Sequence, residues 1–266
     1  MSSPFVSSGW FDSVASLISA DAGEATADAL IDAVGSVVEH EGTCLLAFHS
    51  FAPPEVLHHT LEPDAATHYL DRYLAGPYLL DPLYQLALRA EKPGVCRYRD
   101  ETPDRFHSSE YYRQYCERTH LRDEIDYLVD VADATTLALV VARRERPFRK
   151  VDIDRLRQIR PVVHAAMRAL WERWPGRQQS ADERRSVHRR LTECFENFGD
   201  GLLTQRERET TQLLLRGFST KAIARRLDIA PGTVMVHKRN LFAKLRITSQ
   251  YELFSRFIDT LADETD

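Results

Sequence analysis

The sequence predicts an α+β fold in two parts. The first is an N-terminal α/β/α domain on a mainly antiparallel sheet of about five strands. The second is a C-terminal all-α domain of four short helices. Three observations predict this. Strand-like runs gather between residues 43 and 144, with helical periodicity before and after them. Pro175 and Gly176, followed by polar residues to Ser180, mark a break in composition. Beyond it, four helical patterns follow with almost no spacer from Leu203 to Leu253. The expected boundaries are 1–175, a linker with an amphipathic helix over 176–198, and 199–266.

Within the first part, Trp10 to Ala20 and Glu24 to Glu39 carry helical periodicity, with Leu30, Val34, Val37 and Val38 on one face. Thr43 to Phe51 reads as a buried strand, and Val56 to Leu61 as its hairpin partner across Pro53 and Pro54. Ala65 to Leu74 is a short helix stopped by Gly76 and Pro77. Leu79 to Ala90 is another, with Pro82 in its first turn, where the missing N–H is tolerated. Val95 to Tyr98 is a brief strand and Ser109 to Thr119 a helix. Glu124 to Ala132 and Thr135 to Arg144 are strands joined by a turn at Asp133 and Ala134. Asp152 to Trp174 is a long helix containing Pro161, and its stripe of Leu156, Ile159, Val163, Met167, Leu170 and Trp174 is the preferred dimer surface. The competing use of that stripe is to cover its own sheet. Layers of this kind are shared by PAS, GAF and autoinducer-binding domains, so they do not by themselves choose a ligand.

Asp182 to Phe198 is a further helix, with Val187, Leu191, Phe195 and Phe198 on one side and Arg184, Arg185, Arg189 and Arg190 on the other. It is read as a dimer seam, a lid, a DNA contact or simple packing.

The last quarter has the most explicit local grammar. Thr204 and Glu207 form a capping box. Gly217 is placed to end the first helix in a left-handed turn. Ser219 or Thr220 caps the second helix, and Asp228, Ile229 and Ala230 make a tight turn. Pro231 opens the third helix, whose inner stripe is Val234, Leu241 and Leu245. Thr248 or Ser249 caps the fourth. Two helices joined by a short turn, the second carrying bulky and basic residues outward, is the helix-turn-helix arrangement. Charge agrees. Residues 202–258 hold 11 Lys/Arg against 4 Asp/Glu, whereas residues 1–175 hold 19 against 27. The whole-chain value of −5 hides a basic end suited to releasing phosphate counterions and an acidic body. The acidic residues from Asp259 to Asp266 read as a frayed tail.

These residues resemble the LuxR-type (NarL/GerE-like) DNA-binding domain. The resemblance rests on Leu203, Thr204, Arg206, Glu207, Gly217, Ser219, Lys221, Ile223, Ala224, Leu227, Thr233, Val234, His237, Asn240, Lys244, Leu245, Ser249, Glu252 and Leu253. It implies a transcriptional regulator binding double-stranded DNA, with a homodimer on an inverted-repeat operator. It also implies that Met235, Val236 and Arg239 face bases and that Lys221, Thr233, Lys238 and Lys244 lie near phosphates. Met235 departs from the charged or polar residue common there, and a thioether cannot make a bidentate contact to guanine. Arg239 is therefore the main candidate for base reading. His237 reads as a structural histidine.

A second pattern lies upstream. Tyr69, Tyr73, Tyr78 and Tyr84 gather around Asp81 and Pro82. Aromatics around one carboxylate suit a pocket that fixes an amine or amide group. The pattern resembles the aromatic-then-Asp-Pro signature of autoinducer-binding domains and implies a small-molecule effector. The tyrosine-to-Asp81 spacings differ from that signature, and no tryptophan lies between Trp10 and Trp171. The resemblance thus stops short of an acyl-homoserine lactone. Tyr127, Cys96 and Phe48 are added as strand residues near such a pocket. The competing reading makes Asp81 a helix cap and the tyrosines core.

Other classes are disfavoured. Cys44, Cys96, Cys116 and Cys194 show no C-x-x-C spacing, and the histidines show no metal spacing, so reduced thiols and no cofactor are expected. No nucleophile–base pattern or phosphate loop points to an enzyme. A phosphoreceiver would open on a strand ending in paired acids, whereas this chain opens on helices. No run of 18 apolar residues and no charged, apolar leader at Met1 to Pro4 is present, so a cytoplasmic protein is expected. The alternative to a ligand sensor is a ligand-independent regulator whose N-terminal domain serves protein interaction or dimerisation.

Overall fold

The computed structural model describes residues 8–61, 66–119, 121–132, 134–175 and 181–263. The expected leaderless start at Met1 to Pro4 and the linker over 176–180 lie outside these residues. Helices α1 (Ser8–Ser19) and α2 (Glu24–Gly35) open the fold. Strands β1 (Gly42–His49) and β2 (Glu55–His59) follow as an antiparallel pair, with a register shift between Leu45 and Leu46. A wide π-type turn, Thr67–Asp71, runs into a single turn at Arg72–Leu74. The helix expected over 79–90 is divided by Asp81. A tight turn spans Pro77–Leu80, and α3 covers Pro82–Ala87. The division has a local cause: Asp81 sits at φ −68°, ψ 123°, the extended conformation of a cap and the one favoured before proline.

Strand β3 (Val95–Arg97) ends where α4 (Tyr98–Glu101) begins, so Tyr98 starts a helix rather than closing a strand. A short turn at Phe106–Ser108 precedes the helix expected over Ser109 to Thr119, in whose place stand short turns at Tyr112–Cys116 and Glu117–Thr119. Strands β4 (Asp123–Val131) and β5 (Thr135–Arg143) complete a five-stranded sheet in the order β2-β1-β5-β4-β3, antiparallel throughout. Every residue of β5 is buried, which explains why Leu137 to Ala142 run apolar without alternation.

One face of the sheet carries Leu45, Ala47, Ile125, Tyr127, Leu139 and Val141 against α1, α2 and α5 (Lys150–Glu172). Leu156, Ile159, Val163, Met167 and Leu170 of α5 are all buried in this layer, and Trp174 packs beside it. That corrects the preferred dimer surface: the stripe covers its own sheet, which needs an apolar lid more than α5 can spare one. Buried Asp152 joins Arg143 at 3.1 Å and takes the Arg149 N–H at the helix start. The Arg149 side chain leads in holding its carboxyl low, at about 2, with Arg143 adding to the effect.

The opposite face, with Leu46, Phe48, Leu128, Ala138 and Val140, meets the segments between 73 and 116. Its core continues into α6 (Ala181–Asn197), α7 (Gln205–Leu215), α8 (Thr220–Leu227), α9 (Pro231–Leu245) and α10 (Gln250–Asp263). Of the readings weighed for α6, packing is what its apolar side does. Leu191 is fully buried, Phe195 and Phe198 meet Phe257 edge-on at 5.5 Å, and Tyr78 Oη lies 2.8 Å from His188 Nδ1. The frayed tail expected from Asp259 is instead helical to Asp263, because Leu261 is buried in the shared core. Among the described residues no helix is long and apolar enough to cross a membrane.

Candidate functional site

The cap at Asp81 and the expected pocket turn out to be one structure. Asp81 Oδ1 accepts the Leu83 N–H at 2.9 Å, which starts α3. The same carboxylate accepts the Tyr73 hydroxyl at 2.7 Å and the Tyr98 hydroxyl at 3.0 Å. It lines a cavity of about 200 Å³, together with Tyr69, Tyr73, Tyr98 and Tyr112. The sheet closes the floor with Cys44, Leu46, Val140, Ala142 and Glu124. Burial pushes the Asp81 carboxyl above its usual range, and Tyr73, the Leu83 N–H and Tyr98 partly offset this. Burial, and then the Asp81 charge, drive the Tyr73 and Tyr98 phenols well above theirs. The phenols are thus fixed as donors to a carboxylate that has room for one more partner.

The cavity gathers Asp81, Tyr69 and Tyr73 from the expected set and leaves the rest elsewhere. Tyr78 is fully buried with its hydroxyl on His188. Tyr84 packs edge-on against Tyr78 at 5.1 Å and Phe48 at 5.7 Å, inside the core. Tyr127 points to the other face of the sheet, where its hydroxyl donates to the Leu156 carbonyl at 2.8 Å. Cys96 is buried beside Asp126. Tyr127 was chosen as a strand residue, but strand alternation turns it to the other face; ring packing holds Tyr78, Tyr84 and Phe48 in the core, and Cys96 shares the sheet face of the cavity but stands outside its lining. Tyr98, Cys116 and Glu124 were missed. The available signal was Glu124 and Asp126 at i and i+2, two acids on one face of an apolar strand.

In the C-terminal part, the Thr204–Glu207 capping box is formed, Gly217 takes φ +86°, Ser219 caps α8, and Asp228 turns at φ +52° into the next helix. Val234, Leu241 and Leu245 anchor α9 in the core. This orientation leaves Met235 at 64 % and Val236 at 43 % relative exposure, with Thr233, Arg239 and Lys221 also exposed. Two of the expected phosphate residues are otherwise engaged. Lys244 Nζ donates to the buried Glu207 at 2.6 Å. Lys238 is half-buried, 5.4 Å over the Phe242 ring, and burial followed by Arg105 lowers its pKa.

The two parts meet around this module. Asp104 accepts the Ser219 N–H at 2.9 Å and the Ser219 hydroxyl at 2.5 Å. The Arg105 N–H donates to the Gly217 carbonyl at 3.2 Å. Gly217 lies so close that a Cβ there would stand 3.1 Å from the Phe106 Cα. Burial opposes the Asp104 charge, but Ser219 outweighs it and holds the carboxyl below its usual range.

Residues 201–257 match the family described as "Bacterial regulatory proteins, luxR family". An HTH-type transcriptional regulator in the exeN 3'region of Aeromonas salmonicida is 31% identical over 186 residues, covering 68% of this chain and 94% of that protein. The chain belongs to the luxR family of bacterial regulatory proteins. The monoamine regulon transcriptional regulator of Klebsiella aerogenes is 25% identical over 206 residues, 77% of each chain. The N-terminal part of this luxR-family protein also resembles the VqsR LBD domain from Pseudomonas aeruginosa. That likeness has 26% identity and a TM-score of 0.54, and it covers 60% of this chain and 95% of that one. The α+β expectation for the N-terminal part and the helix-turn-helix expectation for the C-terminal part both hold. The protein is a transcriptional regulator with a LuxR-type DNA-binding domain.

Proposed function

We propose that this regulator senses a small molecule in the Asp81 cavity and that occupancy controls its hold on DNA. The single observation carrying the reading is a continuous set of contacts from cavity to reader. Tyr98 donates to Asp81, its ring meets Phe106 edge-on at 5.6 Å, and Phe106 abuts Gly217 beside the Asp104–Ser219 contact. Ser219 heads a helix whose first turn carries Lys221. Amide and hydroxyl donors at such a position are the kind that hold a DNA phosphate. Asp104 occupies them with a carboxylate, so the docked arrangement competes with DNA. A ligand that moves Tyr98 releases the clamp. On DNA, Met235, Val236 and Arg239 read bases, while Thr233 and Lys221 contact phosphates and Lys238 does so once freed of Arg105. Two copies act together on an inverted-repeat operator, as helix-turn-helix dimers do.

The test has two parts. An operator is selected from random duplexes with the full chain, and a metabolite library is then screened by thermal shift. A ligand at a hundred times its dissociation constant adds about 2.7 kcal/mol of stability. It is expected to change operator affinity in the wild type, and to stabilise Tyr98→Phe without changing that affinity. A library with no stabilising compound counts against the sensor. A compound that binds without affecting DNA affinity counts against the control.

A further inference from the structure

We propose that the cavity takes a small organic cation, a protonated amine, whose charge is received by Glu124 and Asp126 on the sheet floor; this rests on the sensor reading above. Glu124 lines the cavity, and its cross-strand partner Ala142 lines it as well. Asp126 stands just behind the lining, next along the same strand face, opposite Val140, which lines the cavity. Asp126 is 0% exposed, and its Oδ1 accepts a hydrogen bond from no donor among the described residues. Its other oxygen lies 4.0 Å from the Cys96 thiol. Its close polar neighbour is Glu124, a second carboxyl. A buried carboxyl beside a half-buried one on the same strand face is satisfied in two ways: the two share a proton, or they receive a cation.

The surroundings favour the cation as the occupant. Burial, then Glu124 itself and Asp81, push Asp126 well above the carboxylate range. Burial likewise raises Glu124, with Asp81 and Asp123 adding to it. Among the described residues, the leading influences on Asp81, Glu124 and Asp126 are burial, hydroxyl and backbone donors and one another, not a guanidinium or an ammonium. Asp123 is already paired with Arg97 at 2.5 Å. The facing groups on neighbouring segments, Cys44, Cys96, Cys116 and Tyr98, are thiols and a phenol that burial keeps protonated. Arg99 and Arg122 also line the cavity but are exposed. Tyrosine rings form the remaining wall, with Tyr69 and Tyr73 stacked at 6.2 Å, and aromatic faces attract a desolvated cation. An arriving ammonium therefore replaces the proton held between Asp126 and Glu124, which leaves to solvent. Binding is coupled to proton release and tightens as pH rises.

The probes are 2-phenylethylamine and 2-phenylethanol, equal in size and differing in charge. Their affinities for the full chain are measured calorimetrically at about pH 6 and about pH 8. The amine is expected to bind at least about tenfold more tightly than the alcohol, with a preference that grows at the higher pH. Glu124→Gln and Asp126→Asn are expected to erase that preference while leaving alcohol affinity in place. A merely structural role would change melting temperature without changing the amine-to-alcohol ratio. Should either variant fail to fold, the wild-type ratio and its pH dependence still decide. Equal binding of both probes, or an amine affinity independent of pH, overturns the cation while the sensor stands. If neither probe binds, this inference falls, and the library screen above judges the sensor separately.

Discussion

Replacing Asp104 with alanine removes both charge-assisted bonds to Ser219 and little else, since Asp104 is an exposed side chain. Hydrogen bonds to a charged group contribute up to about 1.5–3 kcal/mol when shielded, and far less in water. Discounted for solvent, the pair is worth about 1–2 kcal/mol. At 1.4 kcal/mol per tenfold, the docking constant falls by about 5- to 30-fold. If docking excludes DNA and the docked form dominates, affinity for DNA rises by the same factor. The assay is fluorescence anisotropy with a random-sequence duplex at fixed salt, because loss of a clamp needs no operator. Removing an acid also raises affinity through charge alone, so Asp100→Ala is the control. Asp100 is an exposed acid nearby whose close ion contact is Arg99, at 3.9 Å. Asp104→Ala binding no better than Asp100→Ala would refute the clamp. Gly217→Ala attacks the same interface independently, because its φ of +86° strains an alanine and the new Cβ would press to 3.1 Å from the Phe106 backbone. It should loosen docking in the same direction, seen as faster proteolysis between the two parts.

Arg239→Ala should cost about 1–3 kcal/mol on a selected operator and relax one base position, as read by competition with single-base variants. An equal loss on random duplex would make Arg239 a phosphate contact. Lys221→Ala should lower the slope of log affinity against log salt by about one. Lys244→Met should leave that slope unchanged and lower the melting temperature, because Lys244 neutralises buried Glu207. Asp152→Asn should destabilise the fold by about 3 kcal/mol, the usual scale for breaking a buried pair, as read by urea denaturation. Its folded pKa is depressed from 3.8 to about 2. Its roughly 2 kcal/mol of pH-linked stability is therefore present above about pH 4 and lost as pH falls through 2. The wild type should show that acid-dependent loss and Asp152→Asn should not.

The C-terminal reader was legible because its information is local. Capping boxes, a left-handed glycine and a proline at a helix start each act within a few residues, and Thr204, Gly217, Ser219 and Pro231 stand where the sequence placed them. The sheet was legible for a similar reason, since two-residue periodicity and apolar runs are chain-local signals. The cavity was only partly legible. Asp81, Tyr69 and Tyr73 converge because they share one short segment, whereas Tyr98 arrives from the start of α4 and Glu124 from β4. Tyr78, Tyr84 and Tyr127 carried the same chemical promise and were turned into the core by packing.

By itself, then, the sequence determined the sheet strands and the long helices, that the C-terminal part is a LuxR-type DNA reader, and which face of α9 is exposed. Those outcomes follow from backbone propensity, periodicity and charge, which neighbouring residues settle among themselves. Only the tertiary structure decided that the α5 stripe is committed to its own sheet, that Lys244 neutralises Glu207, and that Asp104 reaches Ser219 across 115 positions. Each is a choice among partners far apart in the chain. Such choices depend on which surfaces close-packing brings together, and no local pattern records them.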